Sequence, residues 1–411
     1  MDRKPKALII GAGIAGVSAA WWLNKAGWTT LILERAPTIR SGGYVMSLSG
    51  RCLEKIKAMG LYEDLKAISY DVDRNVLHDN KSRELTSFNY EDVHGRTESR
   101  AVCRGDLAAL LAGALHESAT IQFNGTLDAV VEIEDGQKIR ATLRSGDVIE
   151  ADLLIGADGI RSPVRKMFWK GEDCLEDLGL CYATYGLEQT EPLRASYVSF
   201  NSLGHLDILY RLQDDRLAAL HIWRDYGSAL QDRALGFGLL RKVIPGPPRI
   251  AQVIDRAEWS GPSPIIDSLT LAKLQRWPKG QGARMALILA EVLGKELMAT
   301  EDITQAFVNH EKKLRPPIER LQDRRSASYH SADTLTCWQA SGSDYDDAAE
   351  QAHYNAVLQR KPPEQEATEV CLVTLTQIDF PDLNPTHKEL LTSEPNGYDT
   401  VTRLTPPPMF A

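Results

Sequence analysis

Cysteine is sparse and unpaired in this sequence. Its six cysteines (Cys52, Cys103, Cys174, Cys181, Cys337, Cys371) are scattered and none forms a CxxC pair. That argues against a zinc site or a dense disulfide framework, and fits a reducing, cytoplasmic setting. No apolar run is long enough to span a bilayer. Basic residues are outnumbered: 47 Lys and Arg against 56 Asp and Glu give a formal charge of −9. With no basic stripe either, nucleic-acid binding is not expected. Met1 to Lys6 is polar and runs directly into an apolar segment, which leaves no room for a signal peptide.

What remains is an ordinary globular composition, 43% apolar and 25% charged over 411 residues, enough for two domains or one large discontinuous one. Ala7 to Ile10 suits a buried parallel strand, Ala15 to Ala26 a helix, and Thr29 to Leu33 a second strand. Together they form a βαβ unit. Leu53 to Ala67 and Asp106 to Leu115 read as helices. Thr120 to Ala151 alternates, with Asn124-Gly125, Asp135-Gly136 and Ser145-Gly146 as turns, and reads as a β-meander. Asp152 to Ile155 is another buried strand. Alternation returns from Tyr182 to Trp223, as a second sheet. Thr304 to Arg325 reads as a helix interrupted at Pro316-Pro317. After Thr336 the chain turns linker-like, with one apolar run, Val370 to Leu375.

Gly11-Ala12-Gly13-Ile14-Ala15-Gly16 is a GxGxxG motif between the first strand and the first helix, and Glu34 ends the next strand. Gly11 makes the tight turn, Gly13 admits a pyrophosphate to the backbone, and Gly16 lets helix and strand pack closely. The helix N-terminus offers N–H groups and partial positive charge to the anion. Glu34 can hold the adenosine ribose hydroxyls, and its charge disfavours a 2′-phosphate. The fingerprint leaves NAD and FAD both open.

Two further segments favour FAD. Asp158-Gly159-Ile160-Arg161-Ser162-Pro163-Val164-Arg165 follows a buried strand, and Arg104 opens a helix in Val102-Cys103-Arg104-Gly105-Asp106-Leu107. With these, the chain resembles the single-component flavin monooxygenases, such as para-hydroxybenzoate hydroxylase, the polyketide hydroxylases and the tetracycline-inactivating monooxygenases. The resemblance runs from about Lys6 to Gln322 and includes the late segment Asn309 to Pro316. It implies an α/β fold, with a Rossmann-type FAD-binding domain on a parallel sheet plus a mixed or antiparallel substrate sheet. The corresponding division is 1–80, 101–176 and 277–335 for FAD, 81–100 and 177–276 for substrate, and 336–411 as an irregular tail.

The same resemblance implies roles. Gly11, Gly13 and Gly16 take the pyrophosphate, and Glu34, followed by Arg35, takes the ribose. Arg104 contacts the flavin chain or pyrophosphate, and Gly42 and Gly43 pass close to the isoalloxazine. Asp158 and Gly159 serve FAD and reduced nicotinamide. Arg161 and Arg165 could meet phosphates or be surface charges, and Asp158 could simply cap a helix. In such enzymes NAD(P)H, a transient co-substrate, reduces FAD, which then activates O2 for attack on an electron-rich carbon. The protein positions substrate and excludes water, so no catalytic triad and no metal cluster is expected. His205, His221 and Tyr210 could orient a phenol or simply pack.

One family motif is missing. A strand, Gly-Asp-Ala and a Pro-containing loop should stand between Leu274–Gly280 and Gln281–Ala286, and they are absent. A skipped exon, a decayed copy and a rebuilt site all account for this, and the first two suit the unfamiliar tail. The loss should expose a sheet edge. It should also leave the helix from Ala283 to Leu297 displaced or unwound in its first turns, since a five-residue strand spans about 17 Å. The expected function is hydroxylation or epoxidation of an aromatic or polyketide-like small molecule in secondary metabolism; the alternative is a degenerate flavoprotein with weak or no activity. Flavin halogenases share the scaffold, but their tryptophan-rich signature is absent. Substrate identity and oligomeric state are not legible.

Overall fold

The computed structural model describes residues 3–39, 45–71, 73–89, 98–134, 137–168, 175–187, 193, 195–202, 205–212, 217–225, 232, 234–244, 246–260, 263–272, 282–314 and 409–410. In chain order, β1 (Lys6–Ile10), α1 (Ile14–Lys25) and β2 (Thr29–Leu33) make the βαβ unit. Helix α1 ends where Gly27 adopts φ +89°, with Trp28 N–H reaching back to Leu23 O at 3.0 Å, a Schellman-type stop. Then come β3 (Val45–Ser49), α2 (Arg51–Ala58), α3 (Tyr62–Ile68), β4 (Tyr70–Asp71), β5 (Arg74–His78), β6 (Glu84–Asn89), β7 (Ser99–Cys103) and α4 (Arg104–Gly113). The single helix expected over Leu53 to Ala67 is two. Gly60, at φ +77°, lets Leu61 N–H close onto Ile56 O and end the first.

Next follow β8 (Ala119–Gln122), β9 (Leu127–Ile133), β10 (Lys138–Leu143), β11 (Val148–Ala151), β12 (Leu153–Gly156) and α5 (Pro163–Phe168). The meander is β9 to β11 alone. Its expected first stretch, β8, instead runs parallel to β2, fixed by Thr30 N–H to Ser118 O and Glu34 N–H to Gln122 O. The second half contains β13 (Leu175–Leu187), β14 (Tyr197–Ser202), β15 (His205–Arg211), β16 (Leu217–Arg224), α6 (Phe237–Val243), α7 (Pro248–Ser260), β17 (Ile265–Ala272) and α8 (Gly282–Ala299). A helix over 303–314, α9, and the two-residue β18 (Met409–Phe410) complete the described elements.

The parallel sheet has the order β18-β12-β1-β2-β8. Three of its strands, β1, β2 and β12, are legible in the sequence as apolar runs, and Leu8, Ile9, Leu153 and Leu154 are fully buried. On its β12 side the sheet ends in β18, which pairs with Leu154 and Ile155. The large second sheet has the order β17-β13-β16-β15-β14-β5-β6. Residues 74–80 therefore belong with it, not with the nucleotide-binding part: β5 and β6 are one hairpin, closed by Asp79 accepting from Lys81 N–H and Arg83 N–H.

Alternation along the second sheet gives it two faces. One carries Ala183, Tyr185, Leu209, Ala219 and Trp223 against Phe237, Leu240, Ile250 and Ile254 of α6 and α7. The other carries Tyr197, Leu206, Ile208, Tyr210 and Leu220 against Val45 and Ala101 of β3 and β7. Helix α8 runs unbroken from Gly282, so its first turns are not unwound. It lies on α1, where a Cβ at Gly294 would come 2.6 Å from Trp22 Cβ. It is also tied to α2 by the pair of half-buried Lys55 and buried Glu291 at 2.5 Å. The junction around Gly280, Pro316-Pro317 and the Val370 to Leu375 run lie outside the described residues.

Candidate functional site

The fingerprint loop joins β1 to α1 at the C-terminal edge of the parallel sheet, where open α/β sheets bind ligands. Gly11 adopts φ +104°, and its N–H donates to Leu33 O at 2.8 Å. Gly16 is pressed onto the same turn. At Gly13, the N-cap of α1, a Cβ would meet nothing within 4 Å, and no side chain caps the helix. The first-turn N–H groups of α1 thus face open space at the positive end of the helix dipole, a cradle suited to a pyrophosphate.

Glu34 stands over this cradle. Its Oε2 accepts from Ala12 N–H at 2.9 Å and its Oε1 from Ala36 N–H at 2.8 Å. The carboxylate is therefore fixed against the loop, and each oxygen keeps a lone pair for a ribose hydroxyl. These two backbone donors were not legible in the sequence, because a backbone N–H leaves no residue signature.

The Asp158-Gly159 segment meets the same loop. A Cβ at Gly11 would lie 2.5 Å from Ala157 O and 3.1 Å from Asp158 Cα. Asp158 Oδ2 accepts from Val164 N–H at 3.0 Å, at the start of α5. Its Oδ1 is buried with no hydrogen-bond partner among the described residues, an acceptor that still needs a donor. Gly159 has φ +87°. Arg165 is buried and donates to Ile160 O, and Arg161 pairs with Asp267. Each thus has a protein partner rather than standing free for a phosphate.

The structure therefore brings Gly11, Gly13, Gly16, Glu34 and Asp158 together. Arg104 opens α4 and is exposed, with no hydrogen-bond or ion-pair partner among the described residues. Arg35 is exposed just after β2. Gly42 and Gly43 lie outside the described residues.

The second sheet sorts the phenol-orienting candidates. His221 is fully buried on the face under α6 and α7, with Nδ1 2.6 Å from Asp207 Oδ1 and Nε2 2.8 Å from the Tyr185 hydroxyl. It is a packed, satisfied core histidine. His205 shares that face, paired across from Trp223, and burial holds its pKa below the ordinary value. Tyr210 is on the opposite face, where its hydroxyl accepts from Val45 N–H at 3.4 Å. Tyr70 joins it there, its buried hydroxyl without a partner among the described residues. Burial, with Tyr210 and Cys103 nearby, holds that phenol protonated well above its ordinary range. Nothing in the sequence distinguishes Tyr70 from other tyrosines. A cleft of about 510 Å³ lined by Pro5, Trp28, Leu297 and Ile303 lies at the other end of β1 and β2, away from Glu34.

Residues 4–170 match the family described as FAD binding domain. A flavin-dependent monooxygenase from an unknown prokaryotic organism is 26% identical over 373 residues, covering 78% of this chain and 88% of the relative. The chain is thus similar to flavin-dependent monooxygenases over most of its length. A second relative, asL4 of Sarocladium schorii, an FAD-dependent monooxygenase, is 34% identical over 167 residues, 39% of this chain and 38% of its own length. The fold matches the crystal structure of Klebsiella pneumoniae HpxO complexed with FAD and uric acid. The TM-score is 0.70 at 18% identity, covering 90% of this chain and 97% of that one. FAD is accordingly the cofactor of this FAD-dependent monooxygenase, and the expected pairing of a Rossmann-type domain with a second sheet is what the structure contains.

Proposed function

We propose that this protein hydroxylates or epoxidises an aromatic or polyketide-like small molecule of secondary metabolism, using NAD(P)H and O2. The observation that carries the reading is the Glu34 carboxylate fixed over the open Gly13 cradle, with Asp158 Oδ1 left to be satisfied beside it. Gly11, Gly13 and Gly16 would hold the pyrophosphate, Glu34 the ribose, and Arg104, Asp158 and Gly159 the remainder of FAD, with Gly42 and Gly43 beside its ring. Bound FAD supplies the hydride acceptor and the oxygen-activating centre. The chain contributes positioning and exclusion of water. Tyr70 and Tyr210 place two hydroxyls in the apolar layer between the second sheet and β3 and β7, the layer beside which a flat, partly polar substrate would lie. The FAD and uric acid complex of HpxO and the fungal origin of asL4 support this substrate class.

The second reading, a flavoprotein with weak or no catalysis, is favoured by the missing Gly-Asp-Ala segment before Gln281. In the enzymes this chain resembles, the aspartate of that segment binds the ribityl chain of FAD, and losing that hydrogen bond would cost about 1–3 kcal/mol. One experiment separates the two: titrate the purified chain with FAD, then follow NADH and NADPH oxidation, O2 uptake and peroxide release across a phenol and polyketide panel. Substrate-stimulated oxidation with little peroxide supports the monooxygenase. Bound FAD with peroxide as the only product supports the second reading. A folded chain that takes up no FAD overturns both.

A further inference from the structure

The loop after Asp158 is held by its own helix on one side. Val164 N–H donates to Asp158 Oδ2, Arg165 N–H donates to Ser162 Oγ at 2.9 Å, and the Arg165 guanidinium donates to Ile160 O. Arg161 points the other way. Its Nη1 donates to Asp267 Oδ2 at 2.5 Å and its Nη2 to Asp267 Oδ1, the two-pronged match of guanidinium and carboxylate. Asp267 is on β17, in the second sheet, directly across from Tyr182 of β13. On the loop's inner flank, Ala157 and Asp158 touch Gly11 of the fingerprint. A line of contacts thus runs from the second sheet, through Asp267 and Arg161, to the pyrophosphate turn.

The loop needs such an anchor. Gly159 is at φ +87° with nothing within 4 Å of a Cβ, and Ile160 is 40% exposed. Little apolar burial orders these residues, so polar contacts must do it. A loop ordered before the ligand arrives spares the binding step that entropy.

We propose that Arg161 and Asp267 form a positioning latch, which pre-orders the 158–162 loop and couples FAD affinity to the seating of the second sheet. This rests on the reading of Asp158 and Gly159 as FAD contacts. In this reading both residues act through the loop, not by contact with the cofactor. The effect is bounded by exposure: the Arg161 side chain is 55% exposed and that of Asp267 19%. A partly screened two-pronged pair corresponds to roughly a three- to tenfold change in affinity.

The test is a fluorescence titration of the apo-protein with FAD. The variants are Arg161→Gln, Asp267→Asn, the double variant, the exchange Arg161→Asp with Asp267→Arg, and Glu34→Ala as the control inside the site. Each single change is expected to raise the FAD Kd about three- to tenfold. The double variant should be no worse than either single, and the exchange should recover part of the affinity. The apo-protein should melt within about 2 °C of the unchanged chain, a surface-pair effect. If the single variants bind FAD normally while Glu34→Ala does not, the latch is wrong and the site stands. Additive losses, or a parallel fall in melting temperature that the exchange does not recover, reduce the pair to a structural contact and also overturn the latch. If Glu34→Ala binds as tightly as the unchanged chain, the site itself is misread and the latch falls with it.

Discussion

Gly16 sits so close to Gly11 that a Cβ on it would lie 1.9 Å from the Gly11 carbonyl oxygen. Neither backbone can move without separating α1 from β1. Gly13, three residues earlier, has φ −77° and open space where a Cβ would go. The two glycines therefore fail differently. Gly16→Ala should destabilise the fold by about 1–3 kcal/mol or more. Gly13→Ala should leave the melting temperature nearly unchanged and block the pyrophosphate. Thermal melts with and without FAD check both; equal melting for the two apo variants would contradict the packing argument.

Glu34 and Asp158 flank the same turn with unequal roles. Both oxygens of Glu34 are fixed by backbone donors of the loop, whereas Asp158 has one oxygen on Val164 N–H at the start of α5. Glu34→Ala should weaken FAD binding by about 1.5–3 kcal/mol, the range for a charge-assisted hydrogen bond. Asp158→Ala should weaken it less, while also loosening α5. Calorimetric titration with FAD ranks them, and the reverse order would remove the ribose assignment.

His310 makes stability depend on pH. It is 5% exposed on α9, and burial lowers its pKa from 6.5 to about 4, against the opposing Leu289 carbonyl and Glu296. The unfolded chain then binds the extra proton first as pH falls. Stability should be full above about pH 6.5 and fall toward pH 4, by up to roughly 3 kcal/mol from this group. Urea midpoints between pH 4 and 7 should show that slope in the unchanged chain, and His310→Gln should flatten it. An identical slope in both would assign the effect elsewhere.

The junction before Gln281 can be tested by addition. Inserting a strand, Gly-Asp-Ala and a short loop between Lys279 and Gln281 should strengthen FAD retention by about 1–3 kcal/mol, the contribution of one buried hydrogen bond to a charged group. Flavin-to-protein ratio after gel filtration is the measure. A chain that already carries one FAD per protein and hydroxylates without releasing peroxide would show that the site has been rebuilt around the gap.

Local pattern by itself determined the nucleotide-binding half. The glycine spacing, the apolar runs of β1, β2 and β12, and Glu34 at the end of β2 are all short-range features. The steric needs of a tight turn and a buried strand write them directly into residue type. The break at Gly60 is equally local, but the helical spacing is continuous on either side of it and hides the break. Only the tertiary structure decided the rest. A period of two sorts residues within one strand, but it does not say that His221 and Tyr210, on neighbouring strands, face opposite ways, nor that α6 and α7 cover one face while β3 and β7 meet the other. The transfer of β8 to the parallel sheet, the placing of β5 in the second, and the partnership of Arg161 with a carboxylate 106 residues away depend on which surfaces meet when the chain packs. That outcome is set by burial summed over the whole core, and no single segment carries it.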